Sequence, residues 1–144
     1  MDAEKQTFKA LDKIATYLAK RDHSVMELKK KLSSKFPEQN TDAAIAIALE
    51  KGWILPPEEL AEKVARTLHN KNKGHLYIQN YLRNLGLPST AEDSELEYEK
   101  CITLLDNRFA NWQNFTYEEK QKPARFLQGR GFSLSNIKKA LYEN

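Results

Sequence analysis

Apolar residues recur every three to four positions along most of this chain, and no stretch alternates apolar with polar residues regularly enough to be a strand. The pattern predicts a run of amphipathic helices. A first helix is expected from about Glu4 to Arg21, with Phe8, Leu11, Ile14, Ala15 and Leu18 turned inward. A second should run from about Val25 to Lys35 and stop before Pro37. Ser24, with Glu27 three residues on, forms a capping box that satisfies two orphan backbone donors. A third helix should begin near Thr41 or Asp42, bury Ile45, Ala48 and Leu49, and end at Gly52. Pro56 and Pro57 suit the start of a fourth, reaching Asn70. A fifth is expected over about His75 to Leu85, followed by Gly86. Ser89 or Thr90 should cap a sixth, which carries Tyr98, Ile102, Leu105 and Phe109. Asn111 to Phe115 reads as a loop. Thr116 with Glu119 is a second potential capping box, opening a helix that reaches Arg130 and that Pro123 should kink or delay. The last helix covers Leu134 to Tyr142.

The same apolar pattern contains an internal repeat. With Ser24, Gly74 and Ser133 aligned, Ala15, Ala65 and Ala124 stand nine residues earlier and Leu18, Leu68 and Leu127 six earlier. Arg21, Lys71 and Arg130 stand three earlier; Leu28, Ile78 and Ile137 follow at four, and Leu32, Leu82 and Leu141 at eight. Physically the unit is the end of one helix, a basic residue where the helix dipole favours a cation, a short break, and a second helix with one buried stripe. Such a helix–turn–helix copy is too small to bury its own apolar face, so neighbours must complete the core. Three tandem three-helix units are expected.

Composition narrows the class. In 144 residues, 40% apolar and 30% charged, a packed core is possible but thin. Only 5 Gly and 5 Pro are too few for a loop-rich all-β protein. The net charge of +3 is mild, yet the charges are segmented. No acidic residue lies between Lys63 and Arg83, or between Lys120 and Lys139, whereas Glu92, Asp93, Glu95, Glu97 and Glu99 cluster. That cluster reads as a solvated helix start. A single cysteine, Cys101, permits no intrachain disulfide and fits a reducing compartment; beside Ile102 it reads as a buried thiol rather than a nucleophile. The N-terminal residues lack the basic patch and apolar run of a secretory signal, and no apolar run approaches the roughly 20 residues that span a bilayer. A cytoplasmic protein is expected.

Several of these segments resemble the RecX family. Leu18-Ala19-Lys20-Arg21-Asp22-His23-Ser24, with Glu27-Leu28 and Leu32, is similar to the family's first repeat, and Lys73-Gly74 with Ile78 and Leu82 to its second. Arg125-Phe126-Leu127-Gln128-Gly129-Arg130-Gly131-Phe132-Ser133, then Ile137, Ala140 and Leu141, resembles its C-terminal motif and is the most specific piece. The resemblance covers roughly residues 10–142. It implies an all-α fold of tandem three-helix repeats forming an elongated, curved, right-handed array. The repeats are then expected over 1–54, 55–109 and 110–144, the first helix of the third being open to sharing with 90–109. It also implies a monomeric regulator without a catalytic centre, whose partner is the RecA recombinase filament and whose effect is on ATPase, strand exchange and co-protease activity. The chain departs from the family where Pro56-Pro57-Glu58-Glu59-Leu60 replaces an acidic pair and an aromatic. It departs again where Leu76 and Tyr77 occupy positions commonly basic, and where His75 replaces a frequent Pro. Single- or double-stranded DNA is therefore the weaker expected partner.

Candidate contact residues are cations: Arg21, Lys71 and Arg130 at the repeat position, with Lys29, Lys30, Arg66, Lys73, Arg83, Arg125, Lys138 and Lys139. A basic stripe would meet phosphate or an acidic filament surface. The alternative is that each repeat cation only complements its helix terminus. His23, His69 and His75 have no zinc-like spacing, Gly129-x-Gly131 is an interhelical turn rather than a phosphate cradle, and no nucleophile, base and stabiliser group together. No cofactor, metal or catalytic residue is expected. Trp53 and Trp112 read as inter-unit packing. A stand-alone helix–turn–helix DNA-binding protein is the alternative function, predicting salt-dependent DNA affinity without RecA.

Overall fold

The structure, a computed structural model, describes residues 2–143. It is all-α: α1 (Ala3–Lys20), α2 (Val25–Leu32), α3 (Glu38–Glu50), α4 (Pro57–Asn70), α5 (His75–Asn84), α6 (Ser94–Arg108), α7 (Gln121–Gly129) and α8 (Leu134–Leu141). A single-turn 3₁₀ helix, Trp112–Asn114, follows α6, and there is no strand among the described residues. The chain forms two compact units. One runs through Glu62 and takes in Arg83–Pro88; the other comprises Lys63–Leu82 and the chain from Ser89 onward.

In the first unit α1 lies on α3. Ala10, Leu11 and Ile14 face Ala44, Ile45 and Ala48, with Leu28 and Leu32 of α2 and Ile54 completing the core. Phe8 and Ala15 are exposed rather than inward, Phe8 at 55%, and so is Leu49 at 46%. At roughly 100° per residue, Phe8 and Ala15 sit about 100° from the centre of the Ala10–Ile14 stripe, and Leu49 about 100° from that of α3. The helices meet along the small residues Ala10, Ala44 and Ala48 instead.

Helix ends follow their chemistry. Ser24 caps α2 in a complete capping box: its hydroxyl accepts from the Glu27 N–H at 3.1 Å while Glu27 Oε1 accepts from the Ser24 N–H at 2.9 Å. α2 stops at Leu32, three residues early, because Phe36 precedes Pro37 and is restricted away from helical geometry. α3 begins at Glu38, earlier than Thr41 or Asp42, with Pro37 before it. Asn40 is thus free to reach back to α1, donating to the Ala3 carbonyl at 2.8 Å and to Thr7 Oγ1 at 3.1 Å. At the other end Trp53 N–H bonds the Ala48 carbonyl and Gly52 N–H that of Leu49, the paired return bonds of a left-handed C-terminal turn. Trp53 itself is 40% exposed and is not a buried packing residue.

The second unit has its core in Cys101, Leu105, Trp112, Leu127, Phe132, Ile137, Ala140 and Leu141. α6 starts at Ser94, capped by Asp93, and not at Ser89 or Thr90. Thr90 is engaged elsewhere: Gln79 Nε2 donates to its hydroxyl, and its N–H donates to Gln79 Oε1, both at 2.9 Å. The capping box of Thr116 and Glu119 closes a separate turn, and α7 starts only at Gln121, two residues before Pro123. Pro123 delays the helix, since it lacks an N–H for the intrahelical ladder.

Across the three repeat copies, Leu28, Ile78 and Ile137 are buried, as are Leu32, Leu82 and Leu141. The Ala column breaks: Ala65 is buried, Ala15 exposed and Ala124 half-buried.

Candidate partner-binding surface

Ser24 and Ser133 each open a helix by accepting a hydrogen bond from an N–H three residues on, those of Glu27 and Asn136. The aligned residue, Gly74, has no side chain to do so. A Cβ there would lie 2.4 Å from the Gly131 backbone, because the α4–α5 turn presses against the α7–α8 turn. The contact is reciprocal: a Cβ on Gly131, at φ +94°, would lie 2.4 Å from Tyr77 Cβ.

The first N–H groups of α5 are therefore satisfied by other segments. Gly74 N–H donates to the Arg130 carbonyl at 2.8 Å and Leu76 N–H to the Gly131 carbonyl at 2.9 Å. His75 N–H donates to Glu97 Oε1 at 2.8 Å. Glu97 belongs to the acidic cluster that sequence assigned to solvent; it is 0% exposed. Its other oxygen pairs with Lys100 Nζ at 2.6 Å, and Lys100 is 3% exposed. The ammonium forms an ion pair with Glu97 Oε2 and hydrogen-bonds the Lys73 carbonyl at 2.7 Å and His69 Nδ1 at 2.8 Å. Because Lys100 can only donate, His69 Nδ1 carries a lone pair, and the imidazole is neutral with its proton on Nε2. Burial and the neighbouring Lys100 charge hold the His69 pKa below the usual imidazole value. A similar pairing occurs in the first unit, where Lys31 Nζ lies 2.7 Å from His23 Nε2 and His23 Nδ1 lies 3.0 Å from the Arg21 carbonyl. Burial is again the main cause of a lowered pKa; the hydrogen bond to the Arg21 carbonyl opposes it, while the Arg21 and Lys31 charges add to it.

This buried node fixes the end of α4, the turn after it, the start of α5 and α6 in one arrangement. Around it sit Lys71 and Lys73 on one turn and Arg130 on the other. Lys73 Nζ lies 4.8 Å from the Tyr77 ring centroid, and the Arg130 guanidinium 5.0 Å from that of Phe126. Tyr77 and Tyr81 stack with centroids 6.2 Å apart. Arg66, Arg125, Lys138 and Lys139 are exposed in the same unit, Lys139 lying 5.7 Å from the Tyr98 ring centroid.

Arg21, Lys29, Lys30 and Arg83 belong to the first unit. Arg21 donates to Glu27 Oε2 and to the Asp22 carbonyl, each at 2.9 Å, which lowers the Glu27 pKa despite the opposing effect of burial. Lys29 faces Asp42 at 3.8 Å, and Lys30 is exposed. Of the three repeat cations the structure brings Lys71 and Arg130 into one unit and leaves Arg21 in the other. Sequence reasoning assigned Glu97 to solvent, weighed His69 only as a metal ligand, and did not single out Lys100. The one available signal was Gly74, the copy of the repeat without its capping side chain.

No group of three or more His, Cys, Asp or Glu side chains is placed to hold a metal among the described residues, and no helix there is long and apolar enough to cross a membrane. Cys101 is fully buried, and burial pushes its thiol up to about 12.

A family model described as the RecX third three-helix domain matches residues 95–141, the segment of α6 to α8. The regulatory protein RecX of Legionella pneumophila (strain Corby) is 30% identical over 142 residues, covering 94% of this chain and 94% of the relative. That of Cronobacter sakazakii is 30% identical over 150 residues, covering 93% and 90%. Among solved structures, RecX from Lactobacillus salivarius shares the fold with a TM-score of 0.83 at 22% identity over 97% of both chains.

Proposed function

The chain belongs to the RecX family, and from that premise we propose that it is a regulator that binds the RecA recombinase filament and lowers its activity. The observation that carries this is the end-to-end likeness to relatives named as regulatory proteins, with 94% of each chain aligned. On this reading the protein acts in the cytoplasm, in DNA repair and the SOS response, as a monomer and without catalysis. Its helical repeats lie across several recombinase subunits and obstruct the groove that incoming duplex must enter. ATP hydrolysis, strand exchange and co-protease activity then fall together, because all three need the same filament.

Charge supports the reading. Lys71 and Arg130 flank the turns that anchor α5, and Arg66, Arg125, Lys138 and Lys139 add exposed cations to the same unit. Such a surface attracts an acidic one and raises the encounter rate. The cations of the first unit, Arg21, Lys29, Lys30 and Arg83, would give the filament a second point of contact.

The test is a titration of the full chain into RecA assembled on single-stranded DNA, following ATP hydrolysis and strand exchange. Both should decline with added protein, and the triple reversal of Arg21, Lys71 and Arg130 to Glu should weaken the effect with the fold intact. Unchanged rates at saturating protein would overturn the proposal. Tight, steeply salt-dependent binding to DNA alone, with no effect on the filament, would establish the stand-alone DNA-binding alternative instead.

A further inference from the structure

Among the described residues, α5 exposes an unusual face. Leu76 is 54% exposed, Tyr81 42% and Tyr77 37%, while Ile78 and Leu82 on the opposite side are fully buried. At roughly 100° per residue, Leu76, Tyr77 and Tyr81 lie within an arc of about 140°, so they form one surface and not a scatter. The flank of the helix beyond that arc is occupied by the reciprocal bonds of Gln79 with Thr90. Large aromatic and aliphatic groups left in water and rimmed by charge mark a surface that another molecule covers.

We propose that this face of α5 is a docking surface for an acidic patch of a folded protein partner, one whose carboxylates surround an apolar recess. The proposal rests on the filament reading above and names the part of this chain that makes the central contact. Three observations select the occupant. The first is charge: no acidic residue lies between Lys63 and Arg83, and the Lys73 ammonium lies 4.8 Å from the Tyr77 ring centroid. The nearby Glu92 is already engaged, with Asn136 Nδ2 at 3.0 Å and His75 at 3.9 Å.

The second is the state of the rings. Base stacking needs an open π-face, but the Tyr77 ring is approached by the Lys73 ammonium and is stacked with Tyr81. The Tyr77 ring is thus already engaged, and it offers its hydroxyl beside the branched side chain of Leu76. That combination fits a protein pocket better than a strand of bases.

The third is rigidity. The N–H groups of Gly74, His75 and Leu76 are held by Arg130, Glu97 and Gly131, and a fixed helix loses little entropy on docking. The acid-lined occupant supplies the charge that Lys73 lacks among its contacts on this face, and Leu76 fills its recess.

The experiment is co-sedimentation of the unlabelled full chain with RecA filament on oligo-dT, comparing wild type with Leu76→Asp, the double variant Tyr77→Ala/Tyr81→Ala, and Lys73→Glu. The alanines keep the Tyr77 Cβ that abuts Gly131, and Lys73→Glu leaves in place the carbonyl held by Lys100, so circular dichroism should show an unchanged fold. Lys13→Glu, on an exposed position of α1, is the charge control. Each α5 variant should lower affinity tenfold or more, and the control by less than twofold. Wild-type binding with α5 variants inside twofold of it overturns the docking surface and leaves the filament proposal standing. Absence of wild-type binding overturns both. Parallel loss of affinity for bare oligo-dT would show that the face takes nucleic acid, and overturns the proposal as well.

Discussion

Lys100 is where the buried chemistry of the second unit can be tested most sharply. Replacing it with Met keeps a long, flexible side chain and removes the ammonium. Glu97 Oε2 loses its counter-charge, and two acceptors, the Lys73 carbonyl and His69 Nδ1, lose their donor. Glu97 has no exposed surface, so its carboxylate is left as an uncompensated buried charge. Breaking such a pair from one side costs about 3–5 kcal/mol. An orphaned carbonyl or imidazole adds about 1–3 kcal/mol taken alone. These contributions overlap, because one small movement of the carboxylate or one entering water relieves several of them, and we expect about 4 kcal/mol in all. Against a usual domain stability of about 5–15 kcal/mol, that brings the second unit close to unfolding.

The double variant Lys100→Met/Glu97→Gln removes the stranded charge and keeps an amide oxygen to accept the His75 N–H. It should be more stable than Lys100→Met by at least about 1.5 kcal/mol, because the stranded buried charge is gone. The readout is urea unfolding followed by tryptophan emission in a Trp53→Phe background. The remaining Trp112 is 3% exposed in the second core, its Nε1–H bonded to Asp106 at 2.7 Å, so its emission reports that unit. A loss below about 1 kcal/mol for Lys100→Met, or a double variant no more stable than the single one, would refute the reasoning.

Gly74→Ala should cost about 2 kcal/mol or more, because its Cβ meets the Gly131–Phe132 backbone at 2.4–2.6 Å. Gly131→Ala should do the same with the added strain of φ +94°, whereas Gly129→Ala, at the end of α7 with open space around it, should be neutral or stabilising by up to about 1 kcal/mol; thermal melts separate the three. Protonation of His69 would place a second cation against Lys100 and destroy an acceptor. The folded-state pKa is depressed, so the stability is complete above the unfolded value of about 6.5 and is lost as pH falls below it. Melting temperature should drop from pH 7.5 to pH 5.5, and His69→Asn, which keeps an acceptor and cannot titrate, should reduce that drop. With its pKa raised to about 12 and no exposed surface, Cys101 should react with a thiol reagent only at the rate of unfolding; immediate stoichiometric labelling of native protein would contradict its placement.

The existence and order of the helices were legible because each depends on local periodicity and a nearby cap. Ser24–Glu27, Gly52 and Ser133 act where sequence placed them. Boundaries failed where a distant partner outbid the local signal: Thr90 resembled a cap but is held by Gln79, and Thr41 or Asp42 resembled a helix start although α3 already begins at Glu38 and Thr41 is buried. Facing was misjudged by about one position on α1 and α3, since Ala10 and Ala44 define the seam and an alanine contributes little to a hydrophobic pattern. The buried ion pair was illegible for a deeper reason. Glu97 stands among four other acidic residues within eight positions, and nothing local separates the one that turns inward.

That inward turn follows from the repeat itself. Two copies close their second helix with their own serine and need nothing from elsewhere. In the middle copy, glycine permits two turns to touch, and the same absence of a side chain removes the cap. The helix start then has positive backbone ends in a place water does not reach, and an anion is the natural complement. Glu97 supplies it from α6, but a buried carboxylate is tolerated only with a counter-charge, and Lys100, three residues on, supplies that. Lys100 in turn needs two more acceptors, which His69 and the Lys73 carbonyl provide. One missing Cβ thus accounts for a four-residue polar core and for the fixed placement of α5, whose exposed Leu76, Tyr77 and Tyr81 are what the proposed partner would meet. Restoring a serine at position 74 should therefore not restore the simpler copy: the capping hydroxyl would arrive on a Cβ for which there is no room.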